Sequence, residues 1–259
     1  MMMLIIKSFI LSFSFLTWIP TPKKLNYSNV EFSFSKSFYP VVGLSIGCIC
    51  YLIYWSLEFY FPHYVTAGFI LMFLTFATRF LHLDGFMDCM DGFCGGHNSE
   101  RRLEIMKDPH VGAFGTVGVI VLLLIKFSLI FYALESGTSL YVMIMFPVFS
   151  RWAMVLALVT FKYIRPMGLG SSFQTEKTRV SFIIANVLTI GIAILLTTSY
   201  LALIPILLVG CWTIAFGYLS KKLLGGGLTG DCYGAINETS EVIGMITLLI
   251  LFNTNGLLG

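Results

Sequence analysis

The chain has 259 residues, 57% hydrophobic and 11% charged, with 16 basic and 13 acidic side chains and a formal net charge of +3. A soluble domain carries roughly 25% charge, and a mean hydropathy of +0.88 leaves too little polar surface to solvate a globule, so a water-soluble protein is excluded. At about 20 apolar residues per crossing, the length holds about seven transmembrane helices joined by short loops: an all-α polytopic integral membrane protein forming a single membrane-embedded domain over residues 1–259.

The first apolar segment, Met2 to Ile19, is interrupted by Lys7 and ended by Pro20 and Pro22. It reads as an interfacial helix, an eighth span or an uncleaved signal, and no small-x-small cleavage site follows it. Apolar runs then predict spans near 38–60, 65–83, 113–134, 139–161, 180–198, 202–220 and 239–256. The six cysteines lie in these runs or beside charged loops and imply a reduced, cytoplasm-facing setting with no disulfide frame. Lys23, Lys24 and Lys36 precede the first of the seven. Arg101, Arg102 and Lys107 lie between 84 and 112, Lys162, Arg165, Lys177 and Arg179 between 162 and 179, and Lys221 and Lys222 after 220. The alternate loops, 61–64, 135–138 and 199–201, hold no Lys or Arg. By the positive-inside rule the basic loops are cytoplasmic.

Nine of the 13 acids fall in two of these stretches, 82–110 and 231–241. In the first, Asp84, Asp88 and Asp91 stand at i, i+4 and i+7, one face of a helix, with His82 just before them. Two carboxylates about 4 Å apart repel by roughly 4 kcal/mol at an effective dielectric near 20. A hard cation such as Mg²⁺, which takes one or two carboxylates and completes its shell with phosphate oxygens and water, relieves this. Partial protonation, or pairing with Arg79, Arg101 or Arg102, is the structural alternative.

The second stretch runs from Gly225, Gly226 and Gly227 through Thr229 and Gly230 to Asp231. It is a glycine-rich loop entering a helix, suited to an anion, with Asp231 and Glu238 on one face and Glu241 following. The plain alternative is a flexible hairpin capped by Asp231. Between the two acidic stretches, residues 98–108 form a short amphipathic helix capped by Asn98 or Ser99 and stopped by Pro109, with Leu103 and Met106 on a face that can lie on the bilayer. Its Arg101, Arg102 and Lys107 suit lipid headgroups or a phosphorylated substrate. Lys126 and Arg151 fall inside predicted spans, where each needs a partner or a wet cavity.

These residues resemble those of the cobalamin synthase (adenosylcobinamide-GDP ribazoletransferase) family nearly end to end. Leu81 to Gly92 is similar to its Leu-His-Leu-Asp-Gly-x-x-Asp-x-x-Asp-Gly, continued by Arg102 to Asp108 and Gly112-x-x-Gly115. Phe38 to Gly43, Lys126, Ser150-Arg151, Arg165-x-x-Gly168-x-Gly170 and Gly226 to Asp231 also match. Trp18 departs, standing where the family's Phe-Leu-Thr-Arg-Ile-Pro has arginine.

The resemblance implies a Mg²⁺-dependent transfer at the cell inner membrane, with the active site on the cytoplasmic side. A ribosyl hydroxyl of α-ribazole, or of its 5′-phosphate, attacks the cobinamide-linked phosphorus of adenosylcobinamide-GDP and releases GMP. Asp84, Asp88, Asp91, Asp231 and Glu238 are then the expected metal ligands. His82, with Asp84 or Asp88 as alternatives, is the expected base, and Lys126 assists. Arg101, Arg102, Lys107, Asp108, Arg151, Arg165, Gly226, Gly227, Thr229 and Gly230 are expected to hold substrate. The partners expected are these small molecules and the lipid bilayer, not nucleic acid. Two rivals are a CDP-alcohol phosphotransferase, whose Asp-Gly-x-x-Ala-Arg start fails at Asp88-Cys89, and a transporter.

Overall fold

In the computed structural model, which describes residues 2–20, 27–165 and 178–255, the protein is a bundle of α-helices. α1 is Met2–Leu16, α2 Asn29–Ser35, α3 Tyr39–Leu57, α4 His63–Ala77, α5 Leu81–Gly95, α6 Ser99–Ile105, α7 Ala113–Glu135 and α8 Ser139–Thr160. α9 is Thr178–Thr197, α10 Leu203–Leu224 and α11 Gly230–Asn255. Lys23, Lys24, Gly168, Gly170 and Lys177 lie outside the described residues.

Among the described residues, six segments are long and apolar enough to cross a membrane: 29–57, which joins α2 to α3, and those of α7, α8, α9, α10 and α11. The expected crossing at 65–83 is different. It stops at Ala77, and α5 leaves at 85° to α4. Arg79 and Phe80 both take left-handed backbone, φ 54° and 59°, which no L residue continues as a helix. The pair α4 and α5 brings the number of crossings to at most seven. At 1.5 Å per residue α1 reaches about 22 Å, short of the ~30 Å hydrocarbon core.

α8 is the axis of the bundle, buried on nearly every side along its length. α3 lies directly on it because Gly43 and Gly47, four residues apart, present bare backbone. A Cβ at Gly43 would stand 2.3 Å from the Pro147 carbonyl oxygen, and one at Gly47 2.7 Å from Ile144. This small-x-x-x-small approach is how helices pack in lipid, where apolar burial gives no net drive. Leu195, Leu207, Val121, Val187 and Leu124 face outward, as lipid-facing side chains must.

α11 starts at Gly230, nine residues before the predicted span, so Asp231, Glu238 and Glu241 belong to one continuous helix. Its entry is fixed by main-chain pairing. Tyr163 and Leu228 form a parallel bridge, with the Leu228 N–H donating to Lys162 O and the Ile164 N–H to Leu228 O, both at 2.9 Å. Gly225 and Gly226 supply the positive φ of the preceding turn, 83° and 137°, where a side chain is strained. α5, α6, Arg165 and the glycine loop therefore collect at one end of the bundle. At the opposite end, His63 Nδ1 meets Glu135 Oε1 at 2.9 Å, joining the start of α4 to the end of α7.

Candidate active site

α5 crosses the first turns of α11 with backbone almost touching backbone. A Cβ at Gly85 would lie 2.7 Å from Asp231 O, and one at Gly234 3.0 Å from His82 O. This crossing brings Asp84 and Asp88 to Asp231. Asp84 is exposed and Asp88 partly so. Asp88 lies within the field of Asp231, Asp84 and Asp91, opposed by Arg165. Arg165 donates to Asp231 Oδ2 at 2.8 Å and to Met106 O at 3.3 Å, and it is the one guanidinium paired with these acids among the described residues. Carboxylates thus outnumber their cation. Arg79 instead donates to Ser14 O, Arg101 pairs with Glu104 at 3.0 Å, and Arg102 donates to Leu223 O at 3.2 Å. The alternative of pairing with these three arginines is not realised.

Asp91 is engaged with backbone amides. Its Oδ2 accepts the Gly112 N–H at 2.9 Å and its Oδ1 the Gly115 N–H at 2.8 Å. It caps α7 from a neighbouring helix, satisfying two amides that a helix start leaves orphaned. A Cβ at Gly112 or Gly115 would lie 2.2 or 2.4 Å from this carboxylate, which is why glycines stand there.

Lys126 has the buried partner that its place inside a span called for, and that partner includes Glu238. Lys126 Nζ sits 2.5 Å from Glu238 Oε2 and 2.6 Å from Glu241 Oε2, and Arg151 Nη1 contacts Glu241 Oε1. All four are buried, at 2%, 4%, 2% and 1% exposure for Lys126, Glu238, Glu241 and Arg151. The two cations balance the two carboxylates inside the bundle, so each of the four already has a partner of opposite charge. Among the described residues, no three His, Cys, Asp or Glu side chains converge as a ready metal cage.

His82 is also turned away. It is 1% exposed, neither ring nitrogen has a hydrogen-bond partner among the described residues, and the charges around it are those of Arg151, Glu241 and Lys126. It faces the buried network.

α6 is capped as expected, with Asn98 Oδ1 accepting the Arg101 N–H at 2.8 Å. Its apolar face is not on the bilayer, because Met106 is 3% exposed and packs on Gly92 of α5. Arg101, Lys107 and Asp108 are exposed, Arg102 partly so. The His110 backbone N–H, and then its ring, hold the Asp108 carboxyl below its usual range. In the loop, Gly226 and Gly230 are open, whereas Gly227 and Thr229 are buried. A Cβ at Gly227 would lie 2.4 Å from Lys162 O, so these two shape the loop. Glu241 is the residue that spacing alone overlooked; its signal was a second Glu three positions after Glu238, opposite two intramembrane cations.

A model of the cobalamin-5-phosphate synthase family matches residues 8–249. Adenosylcobinamide-GDP ribazoletransferase of Desulfitobacterium hafniense is 37% identical over 242 residues, 90% of this chain and 92% of that protein. The protein of the same name from Clostridium tetani is 33% identical over 251 residues, 96% and 99% of the two chains. That of Desulforamulus reducens is 35% identical over 242 residues, 93% and 95%. No solved structure matches the chain.

Proposed function

The chain belongs to the cobalamin-5-phosphate synthase family and is an adenosylcobinamide-GDP ribazoletransferase of cobalamin synthesis, and we propose that it works where α5 crosses α11, with Mg²⁺ drawn to Asp84, Asp88 and Asp231, one or two of which would bind it directly while water and substrate phosphate oxygens complete its shell. One observation carries this reading: an excess of carboxylates over cations at a helix crossing, beside a glycine-rich helix entry. The donors fit a hard divalent ion, being carboxylate oxygens, exposed or half-buried, with no sulfur or imidazole among the three. Bound there, Mg²⁺ neutralises charge on the phosphate oxygens of the scissile pyrophosphate.

The chain supplies the rest by position and charge. Arg165 already lies against Asp231; a divalent cation on these acids would take over their charge and leave the guanidinium to meet a phosphate oxygen. The open glycines 226 and 230 let the pyrophosphate reach the N-terminal amides of α11. Arg101 and Lys107 line the approach of anionic adenosylcobinamide-GDP, and of the second substrate where it is α-ribazole 5′-phosphate rather than neutral α-ribazole. Asp84 or Asp88 takes the proton of the attacking ribosyl hydroxyl, because His82 faces the other way. In-line displacement at the cobinamide-linked phosphorus releases GMP. The basic end of the bundle, and with it the site, faces the cytoplasm across the inner membrane.

GMP release by the purified protein in liposomes, titrated with Mg²⁺, tests this. Asp84→Asn and Asp88→Asn are expected to cut turnover and raise the half-maximal Mg²⁺ at least about tenfold, one ligand's worth of roughly 1.4 kcal/mol. Unchanged Mg²⁺ dependence in both variants would sink the metal assignment.

A further inference from the structure

We infer that Glu241 is a positioning residue for this reaction, acting through the buried charge network to set where the start of α11 stands against α5. The inference rests on the reading of that crossing as the transferase site. Glu241 is the hub of the network. One oxygen takes the Lys126 ammonium from α7 and the other the Arg151 guanidinium from α8, so a single α11 carboxylate joins three helices. Glu238 adds a second bond to Lys126, and the Asn237 amide donates toward both glutamates at 3.3–3.4 Å.

The link from network to site has little slack. From Glu241 the helix runs without a break to Asp231, about 15 Å at the helical rise. Near Asp231, α5 and α11 meet backbone to backbone at Gly85 and Gly234, and at those two points no side chain can yield by changing rotamer. A translation or roll of α11 therefore passes to Asp231 and to its spacing from Asp84 and Asp88. His82 closes the circuit from the other side: it belongs to α5, two residues before Asp84, and its ring faces the same charges. Close-packed interiors transmit such displacements rather than absorbing them.

A network that only held the bundle together would be replaceable by apolar side chains of similar volume with stability kept. Positioning is measured with a gauge the protein already carries. Cys89 of α5 and Cys232 of α11 have their sulfurs 3.9 Å apart, one residue from Asp88 and one from Asp231. In a chain with Cys48, Cys50, Cys94 and Cys211 replaced by alanine, copper phenanthroline oxidises the pair. Two thiols give one disulfide, two electrons to Cu(II) and two protons to buffer, and the rate follows the α5 to α11 spacing.

Glu241→Gln is compared with a Lys126→Met/Arg151→Met/Glu238→Leu/Glu241→Leu chain and with Glu135→Gln, which breaks the surface pair at the far end. Both network variants are expected to change the cross-linking rate about tenfold and to lower turnover about 100-fold, the cost of misplacing a reacting group by about 1 Å. The fully apolar chain is expected to melt no lower than the parent, and Glu135→Gln to leave the cross-linking rate alone. A parental cross-linking rate in the apolar chain, or in a folded Glu241→Gln protein, overturns the inference whatever happens to turnover. Absence of GMP release from the parent would refute the transferase reading while the cross-linking comparison still stands.

Discussion

Gly85→Ala places one methyl group in the crossing of α5 and α11. Its Cβ would meet Asp231 O at 2.7 Å and Asp231 Cα at 2.9 Å, both backbone, whereas ordinary contact begins near 3.4 Å. Relief therefore requires α11 to move by about 0.7 Å at Asp231, the shortfall of the 2.7 Å approach from the 3.4 Å of ordinary contact. Overpacking of this kind costs about 1–3 kcal/mol, partly offset by up to ~1 kcal/mol of helix propensity gained on leaving glycine. The net effect on stability is thus small, and the effect on geometry is not. A shift approaching 1 Å in a ligand set costs about 100-fold in turnover. The assay pairs GMP release across a Mg²⁺ titration with thermal melting in detergent, using Gly68→Ala as the control, since a Cβ there meets nothing within 4 Å. Turnover and Mg²⁺ requirement within twofold of the parent would refute the placement of the site at this crossing.

Asp91→Ala is expected to lower stability by about 1–2 kcal/mol, the loss of a helix cap, with the Mg²⁺ concentration for half-maximal GMP release unchanged; a raised requirement would restore Asp91 as a ligand. Lys126→Met leaves Glu238 and Glu241 short of a counter-charge and is expected to destabilise by about 3–5 kcal/mol, seen as a lower melting temperature that adding Glu238→Gln partly recovers. Cysteines introduced singly at positions 101 and 222 of a cysteine-free chain are expected to resist an impermeant maleimide added outside intact cells, and one at 137 to react; the reverse pattern inverts the topology.

Hydropathy made most of the crossings and their alternation legible, because long apolar runs and basic loops are local signals. The bend after Ala77 was not, since Phe80, Leu81 and Leu83 carry the hydropathy past Thr78, Arg79 and His82, and the break lies in the left-handed backbone of Arg79 and Phe80. The acidic helix and the glycine loop were legible as site elements, but the division of labour among their acids was not. Asp91 finds its partners 21 and 24 residues away on another helix. Asp231 and Glu238 share a helical face, yet about 10 Å separates them along the axis, which is enough to put one at the mouth of the bundle and the other in its core. Spacing on one helix cannot reveal such partners, because Lys126 and Glu238 are 112 residues apart.

The closed charge network also constrains how the protein is made. α7 and α8 enter the bilayer carrying Lys126 and Arg151, each costing about 2.5–3.5 kcal/mol at mid-span on insertion scales. Their counter-charges lie on the last helix, 112 residues beyond Lys126 and 90 beyond Arg151. At about 5–20 residues per second, a ribosome needs roughly 6–20 s to deliver them. Through that interval the nascent chain carries two uncompensated cations in its membrane-inserted part, and its core is electrically complete only when α11 emerges. Chains that stop short of Glu238 therefore keep Lys126 and Arg151 without the counter-charges that the finished protein gives them.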